Sequence, residues 1–186
     1  IKEGVDLISN VVKTTLGPRG RNVITGNHYG YPQISKDGIF CARQCEIKDP
    51  TSQLGLLLIR EVSQRTADLA GDGTTTAAVL AQAIFTEGLK VLGTGANPIL
   101  IQRGINLATK EALSFIAKNI IKNPTDDDLL RVANISANND STIAEIIMEA
   151  VKKAGKDGVI TIEDNYKDSS TYIETVEGMQ LNQGWI

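Results

Sequence analysis

The chain has 186 residues, is 41% apolar but only 4% aromatic, and carries a formal charge of −3. That balance leaves no global basic field to recruit nucleic acid. No apolar run, Leu56–Ile59 included, approaches the roughly 18–20 residues of a membrane span. Aliphatic residues and alanine must do most of the packing, which suits helices. We expect a soluble protein of one domain, or one plus a small second one. Ile1-Lys2-Glu3 already lies inside a helical pattern, with no initiator Met or targeting segment before it, and Gly184-Trp185-Ile186 follows directly on a turn signal. Both ends lead us to expect a piece of a longer protein.

Val5, Ile8, Val11, Val12 and Leu16 recur at helical spacing, and the pattern stops at Gly17-Pro18. Glycine is a good terminator there, and proline cannot continue a helix. Three short β-like runs come next, Asn22–Thr25, Gln33–Ser35 and Ile39–Arg43, with turn chemistry at Gly26-Asn27 and Lys36-Asp37-Gly38. Asn27-His28-Tyr29 reads as a hairpin tip. A long helix is predicted from Ser52 to Leu69, with Leu54, Leu58, Val62, Arg65 and Leu69 on related faces. The loop Gly71–Thr76 interrupts it, and a second helix runs to about Leu92. Asn97-Pro98 starts a third, with asparagine as N-cap and proline first in the helix; its stripe is Ile101, Ile105, Ala108, Ala112 and Ile116.

The character changes near Asn123-Pro124. Thr125 and the triplet Asp126-Asp127-Asp128 favour a helix start, because negative charge is favourable there. The triplet reads as a solvated first helical turn rather than a metal cluster. Helices are predicted around Asp128–Ala133 and Ser141–Ala154, and after Gly155–Gly158 come two alternating strands, Val159–Glu163 and Tyr172–Val176, with a turn at Glu177-Gly178. The boundary near residue 123 separates a mainly helical part with a small sheet from a smaller α/β piece.

Cys41 and Cys45 are the only cysteines and His28 the only histidine. A zinc site would have to borrow carboxylates, and a histidine-based nucleophilic triad has one candidate base in a Gly/Tyr-rich turn. Reduced thiols in an intracellular protein are the expected state.

Gly71-Asp72-Gly73-Thr74-Thr75-Thr76 is the richest chemical element. Its glycines let the backbone approach an anion, Asp72 can hold Mg²⁺, and three hydroxyls sit at a helix start whose N–H groups attract phosphate. No P-loop signature occurs, and no strand leads into a G-x-G-x-x-G turn. Alone, the six residues read equally well as a tight interhelical turn. Thr15-Leu16-Gly17-Pro18-Arg19-Gly20 adds a second backbone-rich turn at a helix end, and Lys36-Asp37-Gly38 pairs a cation with a carboxylate. Together they supply most of what a phosphoryl-transfer site needs: donors for phosphate oxygens, a carboxylate for the metal and a group to orient water.

The chain resembles the group I chaperonins, the 60 kDa Hsp60 family of bacteria and organelles. The resemblance runs through T-L-G-P-R-G-R-N at Thr15–Asn22, I-S-K-D-G at Ile34–Gly38, A-G-D-G-T-T-T-A at Ala70–Ala77 and L-A-Q-A-I-F-T-E-G-L at Leu80–Leu89. It continues through I-S-A-N at Ile135–Asn138, G-V-I-T-I-E-D at Gly158–Asp164 and V-E-G-M-Q at Val176–Gln180.

The resemblance implies a mainly α fold with small β elements: residues 1–123 as the first half of the ATP-binding equatorial domain without its first strand, 124–177 as the first half of the intermediate hinge domain, and 178–186 as the start of the apical domain. It implies that Thr15, Leu16, Gly17, Pro18, Lys36, Asp72, Gly73, Thr74, Thr75 and Thr76 bind the nucleotide. Asp72 would ligate Mg²⁺ and Asp37 would position or activate the attacking water. ATP and Mg²⁺ are then the cofactors. Non-native polypeptides, a 10 kDa co-chaperonin and a homo-oligomeric seven-membered ring are the implied partners. The implied function is ATP-dependent chaperone-assisted folding, in an organelle such as the mitochondrial matrix or in the bacterial cytoplasm. A further catalytic aspartate and other nucleotide contacts would come from segments outside this chain, so the fragment is expected to hydrolyse ATP negligibly. Leu181-Asn182-Gln183-Gly184-Trp185 departs from the family's usual Phe-Asp-Arg-Gly-Tyr and loses both charges. Two rival readings are a chaperonin-fold paralogue with a structural or interaction role and little ATPase, and an unrelated small-molecule kinase.

Overall fold

The computed structural model describes residues 1–17, 19–26, 30–155, 158–165, 170–176 and 178. The described elements are α1 (Lys2–Lys13), β1 (Val23–Thr25), β2 (Gln33–Ser35), α2 (Gly38–Gln44), α3 (Pro50–Ala70), α4 (Thr74–Gly93), α5 (Pro98–Asn119), α6 (Asp126–Ser136) and α7 (Ser141–Ala154). The fold is mainly α with one small sheet, in which β1 and β2 pair antiparallel with Ile24 opposite Ile34. Two compact units are present, Ile1–Ala117 and Lys118–Ile186.

The core of the first unit forms where α1, α2, α3 and α4 meet. Val5, Ile8 and Val12 fall on one face of α1 and bury against Ala42, Leu56, Ile59 and Ala78. Each fully buried Val, Ile or Leu contributes roughly 1.5–3 kcal/mol. The crossing of α1 and α3 is close because both helices carry glycine there. A Cβ on Gly4 would lie 1.7 Å from the Ser52 carbonyl oxygen, and one on Gly55 2.0 Å from that of Ile1. Gln82 of α4 donates to Asp6 Oδ1 at 2.8 Å, a polar tie between α4 and α1. This bond and the one from Lys2, the larger influence, hold the Asp6 carboxyl below its ordinary value.

Two sequence expectations are corrected, the strands at Ile39–Arg43 and after Gly158, and the buried face of α3 is a further finding. Ile39–Arg43 is helix, not strand. Asp37 caps it by accepting the Ile39 N–H at 3.1 Å, and the buried set Gly38, Cys41 and Ala42 has the i, i+3, i+4 spacing of a helix face. The buried face of α3 is not the leucine stripe. Leu54, Leu58 and Leu69 are exposed, while Ser52, Gly55, Leu56, Ile59 and Ser63 are buried: the close approach of α1 selects small residues at 52 and 55, and Leu56 and Ile59 join the apolar core. Val159–Glu163 and Tyr172–Val176 form no ladder among the described residues, and Val159, Ile162 and Tyr172 are exposed. Alternation belongs to one segment, whereas a strand needs a paired neighbour.

In the second unit α6 and α7 pack together. Thr125 and Asp128 cap α6 reciprocally, a capping box in which the acidic triplet forms the first turn. Asp140 caps α7 by accepting from the N–H groups of Thr142 and Ile143. The expected turns at Asn27–Tyr29, Lys156-Asp157 and Glu177, and the divergent stretch from Leu181, lie outside the described residues.

Candidate nucleotide site

The loop between α3 and α4 is shaped by its glycines. Gly71, at φ +73°, ends α3 with its N–H on the Ala67 carbonyl at 2.8 Å, and Gly73, at φ +83°, is the N-cap of α4. Left-handed geometry at both positions excludes most side chains. Glycine at the cap brings no side-chain oxygen of its own to the helix terminus. The first-turn N–H groups of α4, on Thr74, Thr75 and Thr76, therefore lack the usual capping oxygen and present partial positive charge. Asp72 is exposed on this loop, and its Oδ1 accepts the Gly73 N–H at 2.6 Å.

The turn after α1 closes on itself. Gly20 N–H bonds to the Gly17 carbonyl at 2.9 Å and Arg21 N–H to that of Thr14 at 2.8 Å. A Cβ on Gly20 would sit 2.1 Å from the Thr15 carbonyl oxygen, and Gly17 has φ +71°. Both glycines of the L-G-P-R-G run thus have a local reason. Leu16 is exposed, and Pro18 lies outside the described residues.

Three of the predicted segments converge. Thr15, buried at the end of α1, has its hydroxyl 3.4 Å from that of Thr75 on the first turn of α4. Thr15 donates its one proton to the Val12 carbonyl at 2.8 Å, so Thr75 is the donor between the two hydroxyls. Gly38 presses on the same point: a Cβ there would come within 2.1 Å of Thr75 Oγ1. The turn carrying half-buried Lys36 and exposed Asp37 is thereby anchored beside α4. Asp37 is held by its backbone N–H on Ser35 Oγ at 3.1 Å and by its cap on Ile39.

Sequence reasoning missed Ser63. It is buried on α3, and its hydroxyl donates to the Thr74 carbonyl at 3.3 Å, tying the first turn of α4 to the preceding helix. Its only sequence signal is the set of small residues on the α3 face at positions 52, 55 and 63.

A broad cleft of about 970 Å³ lies elsewhere, along α1 and the start of β1, and includes none of the candidate residues. It is lined by both charge signs, such as Lys2, Glu3, Asp6 and Arg21, with no glycine, and the first turn of α1 on its wall carries the Glu3 carboxylate. Its chemistry does not suit phosphate, so the assignment stays with the α4 terminus. Among the described residues no group of three His, Cys, Asp or Glu side chains is placed to hold a metal. A single carboxylate beside a phosphate cradle suits Mg²⁺, which usually takes one or two protein carboxylates plus phosphate and water. Cys41 is buried and Cys45 partly buried, with burial pushing both thiols up.

A search of solved structures finds this fold in a group III chaperonin in the open state, at 29% identity and a TM-score of 0.68, covering 81% of this chain and 30% of the other. The chaperonin gp146 from the bacteriophage EL 2 (Pseudomonas aeruginosa), in the presence of ATP-BeFx, is similar at 27% identity and a TM-score of 0.65. That match covers 80% of this chain and 26% of the phage protein, so the chain spans about a quarter to a third of the length of both. The family model described as TCP-1/cpn60 chaperonin family matches residues 8–186. With nearly the whole sequence matched, the chain belongs to the TCP-1/cpn60 chaperonin family.

Proposed function

We propose that this chain supplies one wall of the ATP site, and the adjoining hinge segment, of an ATP-driven chaperonin of the group I type. The observation that carries the reading is the meeting of Thr15, Gly38 and Thr75 beside a helix N-terminus whose N-cap is the glycine Gly73. The group I assignment rests on the motif resemblance, above all T-L-G-P-R-G-R-N and A-G-D-G-T-T-T-A. The presence of ATP-BeFx with the similar phage chaperonin supports the choice of nucleotide.

In this reading the N–H groups of Thr74, Thr75 and Thr76 bind phosphate oxygens without reorganisation, which is the source of electrostatic preorganisation. Gly71 and Gly73 keep the approach open: a Cβ on Gly71 meets nothing within 4 Å, and one on Gly73 only a Thr66 methyl at 3.9 Å. The turn at Thr15, Leu16, Gly17 and Pro18 lines the nucleotide, and Lys36 adds a cation to the phosphate side. Asp72 would hold Mg²⁺, which when bound offsets the phosphate charge. Asp37, its carboxylate fixed by the Ile39 N–H, orients the attacking water and accepts its proton.

Turnover then needs groups that this chain lacks, so the 186 residues alone hydrolyse ATP negligibly. In the whole protein, nucleotide binding would drive the 124–177 segment as a hinge. Non-native polypeptides would be the clients, enclosed by a ring of seven copies with a 10 kDa co-chaperonin, in an organelle or the bacterial cytoplasm. The test is steady-state ATPase of the full-length protein. Asp72→Ala should lower turnover by about 100-fold or more, the scale of a lost charge-stabilising contact. Unchanged turnover would refute the site.

A further inference from the structure

The short helix α2 has one end in the proposed site and the other end held by an arginine from α3. Its last turn lacks a backbone cap, since Cys45, the C-cap residue, is extended at φ −75° and ψ 132°. The carbonyls of that turn must find other donors, and a cation is favourable at this negative end of the helix. Arg60 answers both needs. Its Nε donates to the Ala42 carbonyl at 3.2 Å and its Nη2 to the Cys45 carbonyl at 2.5 Å. A fork reaching two carbonyls sets orientation as well as distance.

The opposite end of α2 has little freedom. Gly38 is in contact with Thr75 and Val12, and Asp37 caps the helix. At seven residues α2 is about 10 Å long and behaves as a single rigid body. With Gly38 held against Thr75 and Val12, a shift of the C-terminal turn pivots the helix there and re-aims Asp37. The sole other side-chain tie from α2 to α3 among the hydrogen bonds described is Arg43 to Gln64, and that pair is exposed.

We propose that Arg60 is a positioning residue for the hydrolytic step: its hold on the α2 carbonyls sets where Asp37 is presented to the attacking water. This rests on the role given to Asp37 above. The phosphate-binding N–H groups belong to α4, so loss of the Arg60 fork should affect turnover and spare nucleotide affinity. A displacement near 1 Å remote from the chemistry can cost up to about 100-fold in rate.

The test is a double-mutant cycle in the full-length protein, with kcat from steady-state ATPase and Kd from Mg-ATP titration. Arg60→Met keeps the length of the stem and removes the donors. We expect kcat to fall about tenfold with Kd within about twofold, and Arg60→Lys to restore part of the loss. In an Asp37→Asn background, Arg60→Met should cost nothing further, because both changes remove the same function. Wild-type kcat in Arg60→Met, or an equal loss again on top of Asp37→Asn, overturns the proposal. If Arg60→Met does not fold, Arg60→Lys carries the same cycle; failure of both to fold makes Arg60 a folding residue and equally overturns it. Asp37→Asn at wild-type turnover would refute the role of Asp37 itself, a result distinct from failure at Arg60.

Discussion

Helices α1 and α5 have the same kind of sequence and opposite fates. Both show apolar residues at helical spacing, yet α1 buries five of its 12 residues, and α5 buries none of its 22. Leu100, Leu107, Leu113 and Phe115 of α5 are all more than half exposed. The difference lies in the partner, since α5 carries small residues too, at Gly104, Ala108 and Ala112. Gly4 and Gly55 let α1 and α3 approach until backbone meets backbone, and the candidate site forms at the end of that contact. Amphipathic spacing specifies a face; only a close partner turns the face into a core.

The strongest challenge to this contrast is a matched truncation. Leu56→Ala, at a fully buried position, should cost roughly 2–5 kcal/mol in urea unfolding of this chain, and Leu107→Ala less than about 0.5 kcal/mol. A comparable cost at Leu107 would mean that a partner covers α5. Next in size, Gly55→Ala should destabilise by about 1–3 kcal/mol through overpacking of the α1–α3 crossing, while Gly104→Ala in α5, with nothing around it, should stabilise slightly. Equal responses at the two glycines would remove the distinction.

The smallest effect is acid sensitivity. Asp49 and Asp128 have their carboxyls held below the ordinary value of 3.8, in each case first by a backbone N–H at a helix start, that of Ser52 for Asp49. A depressed folded value stabilises the fold above the unfolded value, and that contribution is lost as pH falls below about 4 through the folded one. Asp128→Asn should remove part of this acid-dependent loss of helicity, read by circular dichroism. An unchanged acid profile would show that the α6 cap contributes nothing measurable.

Much of this was legible in the chain. The Thr125 and Asn97 starts, the Gly71 stop and the Gly17 turn follow from local chemistry, and Asn97 Oδ1 indeed accepts the Ile99 N–H at 2.9 Å. The three turns, far apart in sequence, share one kind of chemistry, and one residue from each, Thr15, Gly38 and Thr75, lies against the others. What sequence could not carry is whatever depends on a second backbone. The strand reading of Ile39–Arg43 leaves out the cap at Asp37, and the leucine spacing of α3 carries no sign that α1 presses on Ser52 and Gly55. Arg60 and Ser63 were invisible for the same reason, because their partners are main-chain carbonyls of other elements.

The central claim is that phosphate is held where Thr15, Gly38 and Thr75 meet. Gly38→Ala tests it most directly, because the added Cβ falls 2.1 Å from the Thr75 hydroxyl, a side-chain atom that can swing away while the helices stay in place. Calorimetric titration of Mg-ATP into the full-length protein should show affinity reduced about tenfold or more, some 1.4 kcal/mol, with the helical signal retained. Wild-type affinity in Gly38→Ala would place the phosphates elsewhere and contradict the account.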